Sequence, residues 1–161
     1  MGINCHLVNS LLNLQADVQI IVMAGKNKSL LDELHKLSSQ WPGRLVAMGF
    51  TDKVPELMAC ADLVITKPGG LSTSECLVMG LPMVLINPIP GQEERNASYL
   101  LQEGVAQRAD DVATLLYRIT QLLAKPEKLD EMKRQASALG RSDAASSLLN
   151  HIDKNLAGHN V

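Results

Sequence analysis

The residues with most chemical potential stand in two short segments, "KPGGLSTSE" (67–75) and "NPIPGQEERNA" (87–97). In the first, Pro68 fixes φ, while Gly69 and Gly70 admit conformations and close approaches that a Cβ would bar. A helix beginning near Ser72 would turn its free N–H groups and positive dipole end toward that loop, which suits a phosphate or diphosphate. Glu75, about one turn in, is placed to accept two hydrogen bonds from a ribose diol. A plainer reading competes: Ser72-Thr73-Ser74-Glu75 fits a capping box, with Leu71 and Cys76 as its hydrophobic staple. In the second segment two prolines and a glycine shape a stiff loop. Gln92, Glu93 and Asn96 then offer mixed donors and acceptors, as a hydroxyl-rich ligand such as a sugar requires. The plainer reading there is that Glu93 and Glu94 complement a helix dipole.

Other candidates carry less. "GFTDKVPEL" (49–57) holds the only phenylalanine. Phe50 at a strand's end would cover a nucleobase whose edge the Thr51 backbone reads, or it anchors the core; Asp52 and Pro55 are expected at the start of the following helix. "AGKNKS" (24–29) resembles a phosphate-binding P-loop, but that pattern needs a glycine five residues before its Gly-Lys and Ser or Thr directly after. Ile20 and Asn27 occupy those places, so that reading fails. Lys26 and Lys67 offer positive charge near a phosphate or are simply solvated. His6, His35, His151 and His159 have no ligand-like spacing, and no residue is identified as a catalytic base.

The elements that must position these residues alternate. Apolar runs at 18–23, 44–49, 62–66 and 82–86, with a weaker one at 104–108, read as strands covered on both faces. Helical spacing recurs at 29–40, 54–61, 72–80 and 94–104, with Gly80 and Gly104 as stops. From Asp110 onward the pattern is helical, with Pro126 opening one helix and a last amphipathic stretch near 142–156. This is a doubly wound α/β pattern with a parallel, Rossmann-like sheet and a helical tail. Ligands in such sheets bind beyond the strands' carboxyl ends, which gathers both segments onto one rim. The chain opens on a helix-like segment (5–15) with no strand before it, so the first, central strand is expected to be missing. That would leave two neighbours with unpaired edges, unless the sheet closes up or another chain fills the gap.

Composition narrows the field. The 161 residues fit one domain, 1–161, with a net charge of −2 and four Phe, Tyr or Trp rings. No basic footprint or interleaved aromatics mark nucleic-acid binding. Cys5, Cys60 and Cys76 are an odd, scattered set without zinc or disulfide spacing, which points to a reducing compartment. No apolar run is long enough to span a membrane, and the default is a soluble cytoplasmic domain, with membrane contact only at a surface.

"ITKPGGLSTSECLVMGLPMVL" followed by "PIPGQEERNASYL" resembles the nucleotide-sugar-binding half of family 28 glycosyltransferases over roughly residues 5 to 150. "VMAGKN" and "GFTDKVPELMACAD" fit in the same order. The branch is that of monogalactosyldiacylglycerol synthases and processive diacylglycerol glucosyltransferases. The resemblance implies a GT-B enzyme, two Rossmann-like domains facing across a cleft, of which this is the C-terminal, donor-binding one. It implies inverting transfer of a hexose from a UDP-sugar to a diacylglycerol-type lipid, with no metal or other cofactor. Gly69, Gly70, Leu71, Ser72 and Thr73 would cradle the diphosphate, and Glu75 would hold the ribose. Gln92 and Glu93 would contact the sugar, Asn96 would support that loop, and Phe50 and Thr51 would frame the uracil. The acceptor-binding N-terminal domain and its catalytic base are expected to be absent, supplied by a missing domain or a separate subunit, with peripheral membrane contact through it. Two alternatives stand beside this: a peptidoglycan-type GlcNAc transferase or UDP-GlcNAc epimerase, and a non-catalytic remnant whose sheet edge binds a partner protein.

Overall fold

The computed structural model describes residues 3–140, and the amphipathic stretch expected at 142–156 lies outside them. Helices and strands alternate as α1 (Cys5–Leu12), β1 (Ile20–Gly25), α2 (Lys28–Ser38), β2 (Leu45–Gly49), α3 (Val54–Ala59), β3 (Val64–Thr66), α4 (Gly70–Val78), β4 (Met83–Ile86), α5 (Gln92–Gln102) and β5 (Ala106–Ala109), followed by α6 (Val112–Leu123) and α7 (Pro126–Leu139). Gly80 and Gly104 follow α4 and α5 at φ +65° and +71°, the left-handed stop expected of them.

All strand pairs are parallel, as the apolar runs predict, but they form two sheets: β1–β2 and β3–β4–β5. The larger sheet is covered on both faces. Val84 and Ile86 of β4 pack with α1, α6 and α7, while Met83 and Leu85 pack with α4, α5 and α7. All four β4 side chains are buried, which is why this segment reads as an unbroken apolar run.

The smaller sheet departs from expectation. Val22, Ala24 and Leu45 are buried against α1 and α2, but Ile21, Met23 and Val46 on the other face are exposed. Residues 20–23 and 45–48 are apolar without a break, yet among the described residues no helix covers this face. The sequence pattern reports which residues tolerate burial, and only neighbours decide whether they are buried.

Helix α1 ties the two sheets together. Leu7 and Leu11 join the β4–α6 cluster, Val8 and Leu12 join the β1–α2 cluster, and Ile20 touches both. Polar links are fewer. Arg108 of β5 forks onto Glu94 of α5 at 2.9 and 3.2 Å and reaches Asp110 at 2.7 Å; these half-exposed pairs add little to stability.

Leu12→Ala, at a fully buried position shared by α1 and the small sheet, is expected to cost about 2–5 kcal/mol. Ile21→Thr on the uncovered face is expected to cost no more than about 0.5 kcal/mol. Urea unfolding of the two variants checks the asymmetry.

Candidate functional site

How each helix begins decides what it can bind. Asn4, Asn27 and Asp111 cap α1, α2 and α6 by accepting the N–H of Leu7, Leu30 and Thr114 at 2.9, 3.1 and 2.7 Å. Hydrogen bonds from the first turn hold the Asp111 carboxyl below the usual carboxylate range. Helices α3 and α7 start with proline in the first turn, where the missing N–H costs nothing. Helices α4 and α5 start on glycines, Gly69 and Gly91, with no side-chain cap.

The sequence expectation for α4 is corrected here. The helix begins at Gly70, two residues before Ser72, so Ser72 lies inside it and is no N-cap. The capping box does not form, and neither does its staple, because Leu71 is exposed while Cys76 is fully buried. Thr73 makes the first helical bond, its N–H reaching the Gly69 carbonyl at 3.0 Å. The N–H groups of Gly70, Leu71 and Ser72 therefore point out of the helix end toward the loop.

The glycines answer to different needs. Gly91 sits at φ +107°, ψ −115°, a conformation open to glycine alone. Gly69 is ordinary extended backbone at φ −69°, ψ 143°. A Cβ on Gly69 would meet no atom within 4 Å, and one on Gly70 would meet only the Gln92 amide at 3.8 Å. Neither torsion nor packing within the chain requires glycine at 69. What its missing side chain leaves is open space over three free N–H groups.

The second segment is drawn against the first. Asn96 Nδ2 donates to the Pro68 carbonyl at 2.9 Å, so Asn96, in the second turn of α5, supports the Pro-Gly-Gly loop. The Glu93 carboxylate turns back to accept the Ile89 N–H at 2.8 Å and closes the proline-rich loop. Gln92 is exposed beside Gly70. Below them a groove of about 170 Å³ runs between α4 and α5, lined by Gly70, Thr73, Ser74 and Leu77 on one side and Asn96, Tyr99 and Leu100 on the other. Tyr99 escaped the sequence reading, although its place three residues after Asn96 puts it on the same helix face. A larger cavity of about 440 Å³, between Gln107 and helices α6 and α7, includes none of these residues.

Hydroxyls and charges are distributed unevenly. Buried Thr73 spends its hydroxyl proton inward, on the Gly69 and Gly70 carbonyls at 2.8 and 3.2 Å, and Ser74 donates to Gly70 at 2.8 Å. The Thr73 hydroxyl therefore braces the turn and does not donate toward the loop; Ser72 is half-buried. Glu75 is also half-buried and belongs to no ion pair among the described residues. Its charge, added to burial as the main cause, pushes the neighbouring Cys76 thiol up to about 11, so that thiol stays protonated and inert.

Phe50 is exposed over 74% of its surface, which overturns the core-anchor alternative. Its ring lies 5.6 Å from the Lys26 ammonium, so the loops after β1 and β2 meet at their tips. Thr51 Oγ1 accepts the Lys53 N–H at 3.1 Å, and Asp52 precedes α3 without capping it. No hydrogen bond among the described residues joins Phe50 or Thr51 to the Pro-Gly-Gly loop.

The chain belongs to glycosyltransferase family 28: residues 5–148 match the model of that family's C-terminal domain. Among curated proteins it is similar to processive diacylglycerol beta-glucosyltransferases, 35% identical to that of Bacillus licheniformis over 136 residues and 36% identical to that of Bacillus pumilus over 139. These alignments cover 84% and 86% of the chain but only 36% of either relative, so the chain spans about a third of their length. In fold it resembles Acinetobacter baumannii MurG, with a TM-score of 0.69 at 20% identity over 96% of this chain and 48% of that one. It also resembles Anabaena HepE, solved in complex with UDP, with a TM-score of 0.67 at 20% identity over 96% and 45%. The α/β architecture is thus that of GT-B glycosyltransferases.

Gly91→Ala is expected to destabilise the chain by about 1–3 kcal/mol through backbone strain. Gly69→Ala is expected to stay within about 0.5 kcal/mol of the parent, the lower entropy of its unfolded chain offsetting a poorer cap. Paired denaturation curves decide between strain and open space as the reason for each glycine.

Proposed function

We propose that this chain is the donor-binding part of a hexosyltransferase that passes a sugar from a UDP-sugar to a diacylglycerol-type lipid, with inversion. The observation that carries the reading is the uncapped start of α4. Three N–H groups and the positive dipole end face space that Gly69 leaves open, while α1, α2 and α6 each have a first-turn N–H accepted by a side-chain cap. That arrangement suits a diphosphate held by backbone donors, with the Ser72 hydroxyl beside them and no metal ion required. Thr73 contributes by bracing the turn.

Glu75 supplies the carboxylate for the ribose hydroxyls. Gln92, next to Gly70, and Glu93, on the closed proline loop, face the sugar, and Phe50 with the Thr51 backbone frames the uracil. In the transfer an acceptor hydroxyl attacks the anomeric carbon as the bond to UDP breaks, and the helix dipole stabilises the departing phosphate charge. The acceptor surface and catalytic base come from outside residues 3–140, and the acceptor is met at the cytoplasmic face of a membrane. The lipid acceptor is supported by the diacylglycerol transferases among the relatives.

Isothermal titration of UDP into the chain, first without metal and then with magnesium, is expected to show binding that magnesium does not strengthen. Glu75→Ala and Gly69→Ala are each expected to weaken it by roughly 10- to 100-fold, and Ser74→Ala to leave it unchanged. Unchanged affinity in Glu75→Ala removes the ribose role. A folded parent chain that binds no UDP overturns the proposal and favours a non-catalytic module.

A further inference from the structure

Arg108 stands near the carboxyl end of β5 and turns to the α5 side of the sheet. Ala106, two residues before it, packs in the α4–α5 cluster, whereas Ala109 packs with α1 and α6. Strand alternation therefore sends Arg108 toward α5. Its guanidinium is held at three points. Nη1 and Nη2 donate to the two Glu94 carboxylate oxygens at 2.9 and 3.2 Å, and Nε donates to Asp110 at 2.7 Å. A planar fork engaged on two sides has one orientation left to it. Glu94 lies in the first turn of α5, directly after Gln92 and Glu93.

That first turn needs orientation from outside, because the chain leading into it supplies little. Pro88 and Pro90 fix their own φ, but the loop enters at Asn87 with φ +47° and leaves at Gly91 with φ +107°, both in the left-handed region. Helix α5 then starts on Gly91 with no side-chain cap. Among the described residues, two side-chain links fasten its start to the rest of the fold. Asn96 donates to the Pro68 carbonyl on the α4 side, and Glu94 accepts from Arg108 on the β5 side. The two residues are about 200° apart around the helix, so the links pull on opposite sides. Loss of one leaves the turn free to roll about the other. The Arg108 pairs are half-exposed and add little stability, so direction is what the fork contributes.

We propose that Arg108 is a positioning residue for the sugar end of the donor site: by forking Glu94 it sets the angle at which α5 presents Gln92 and Glu93. The inference rests on the UDP-sugar reading above and adds to it a residue that touches no ligand. The diphosphate cradle belongs to the start of α4, to which Arg108 makes no hydrogen bond among the described residues. The effect of Arg108 therefore falls on the sugar and spares the nucleotide.

The test is isothermal titration of UDP and of UDP-glucose into the full chain and into Arg108→Gln, Glu94→Gln and the double variant, with melting temperatures measured alongside. In each variant the ratio of UDP-glucose affinity to UDP affinity is expected to fall by roughly 3- to 30-fold, with UDP affinity itself unchanged. The double variant is expected to lose no more than either single one, since the two side chains act as one unit. Arg108→Lys keeps the charge but not the fork, and is expected to recover little of the ratio. Melting temperatures are expected to stay near the parent's. A ratio that holds at the parent's value while UDP still binds would overturn this inference and leave the UDP reading standing. Equal losses for both ligands, with a lowered melting temperature, would make the fork merely structural and overturn it as well. Full recovery in Arg108→Lys would do the same, by leaving charge alone as the cause. A folded parent chain that binds neither ligand removes the donor-site reading, and this inference with it.

Discussion

An α-helix begins with N–H groups that its own backbone cannot pair, and the ways this chain satisfies them sort its helices by role. At α1, α2 and α6 an asparagine or aspartate accepts one of them, and the capped helix end serves packing. At α4 and α5 glycine stands at the cap, and the donors remain available to something else. The remaining features of the site follow from holding these two open ends together. Asn96 bonds to Pro68, Glu93 folds back to Ile89, and Thr73 ties its hydroxyl to the carbonyls beneath it. Each contact fixes backbone near the open N–H groups without occupying them.

Rigidity at that corner comes from the larger sheet. Strand β4 is buried along its whole length between two apolar layers, and the loops that carry Pro68 and Gly91 leave from β3 and β4, side by side. The smaller sheet carries Phe50 and Lys26 on a less enclosed base, joined to the rest chiefly through α1. One fold therefore presents a donor-rich half on a fully buried strand and an aromatic half on a sheet with one exposed face.

Much of this was legible in residue order. Strand–helix alternation, the parallel sheet and the glycine stops at 80 and 104 follow from periodicity and composition, because burial on both faces selects unbroken apolar runs. The grouping of Gly69, Gly70, Gln92 and Asn96 was legible too, since loops after adjacent parallel strands share a rim. The start of α4 was not. Ser72 to Glu75 satisfies a local capping pattern, but glycine at 69 lets the helix begin earlier, and local sequence does not rank the two. The inward turn of the Thr73 hydroxyl and the Asn96–Pro68 bond depend on distances between elements that no spacing encodes. The bare face of β1–β2 was hidden for the same reason: Ile21 and Met23 are as apolar as buried residues, and they are exposed because no helix among the described residues covers them.

The claim on which the functional account rests is that the first N–H groups of α4 receive a diphosphate. Amide shifts followed while UDP is titrated into the isotopically labelled chain, without metal, address it directly. The account predicts that the largest changes fall on Gly70, Leu71 and Ser72, with smaller ones at Gln92 and Asn96. Changes centred on Gln107, Arg118 and Lys125 around the other cavity, or none at all in a folded chain, would contradict it.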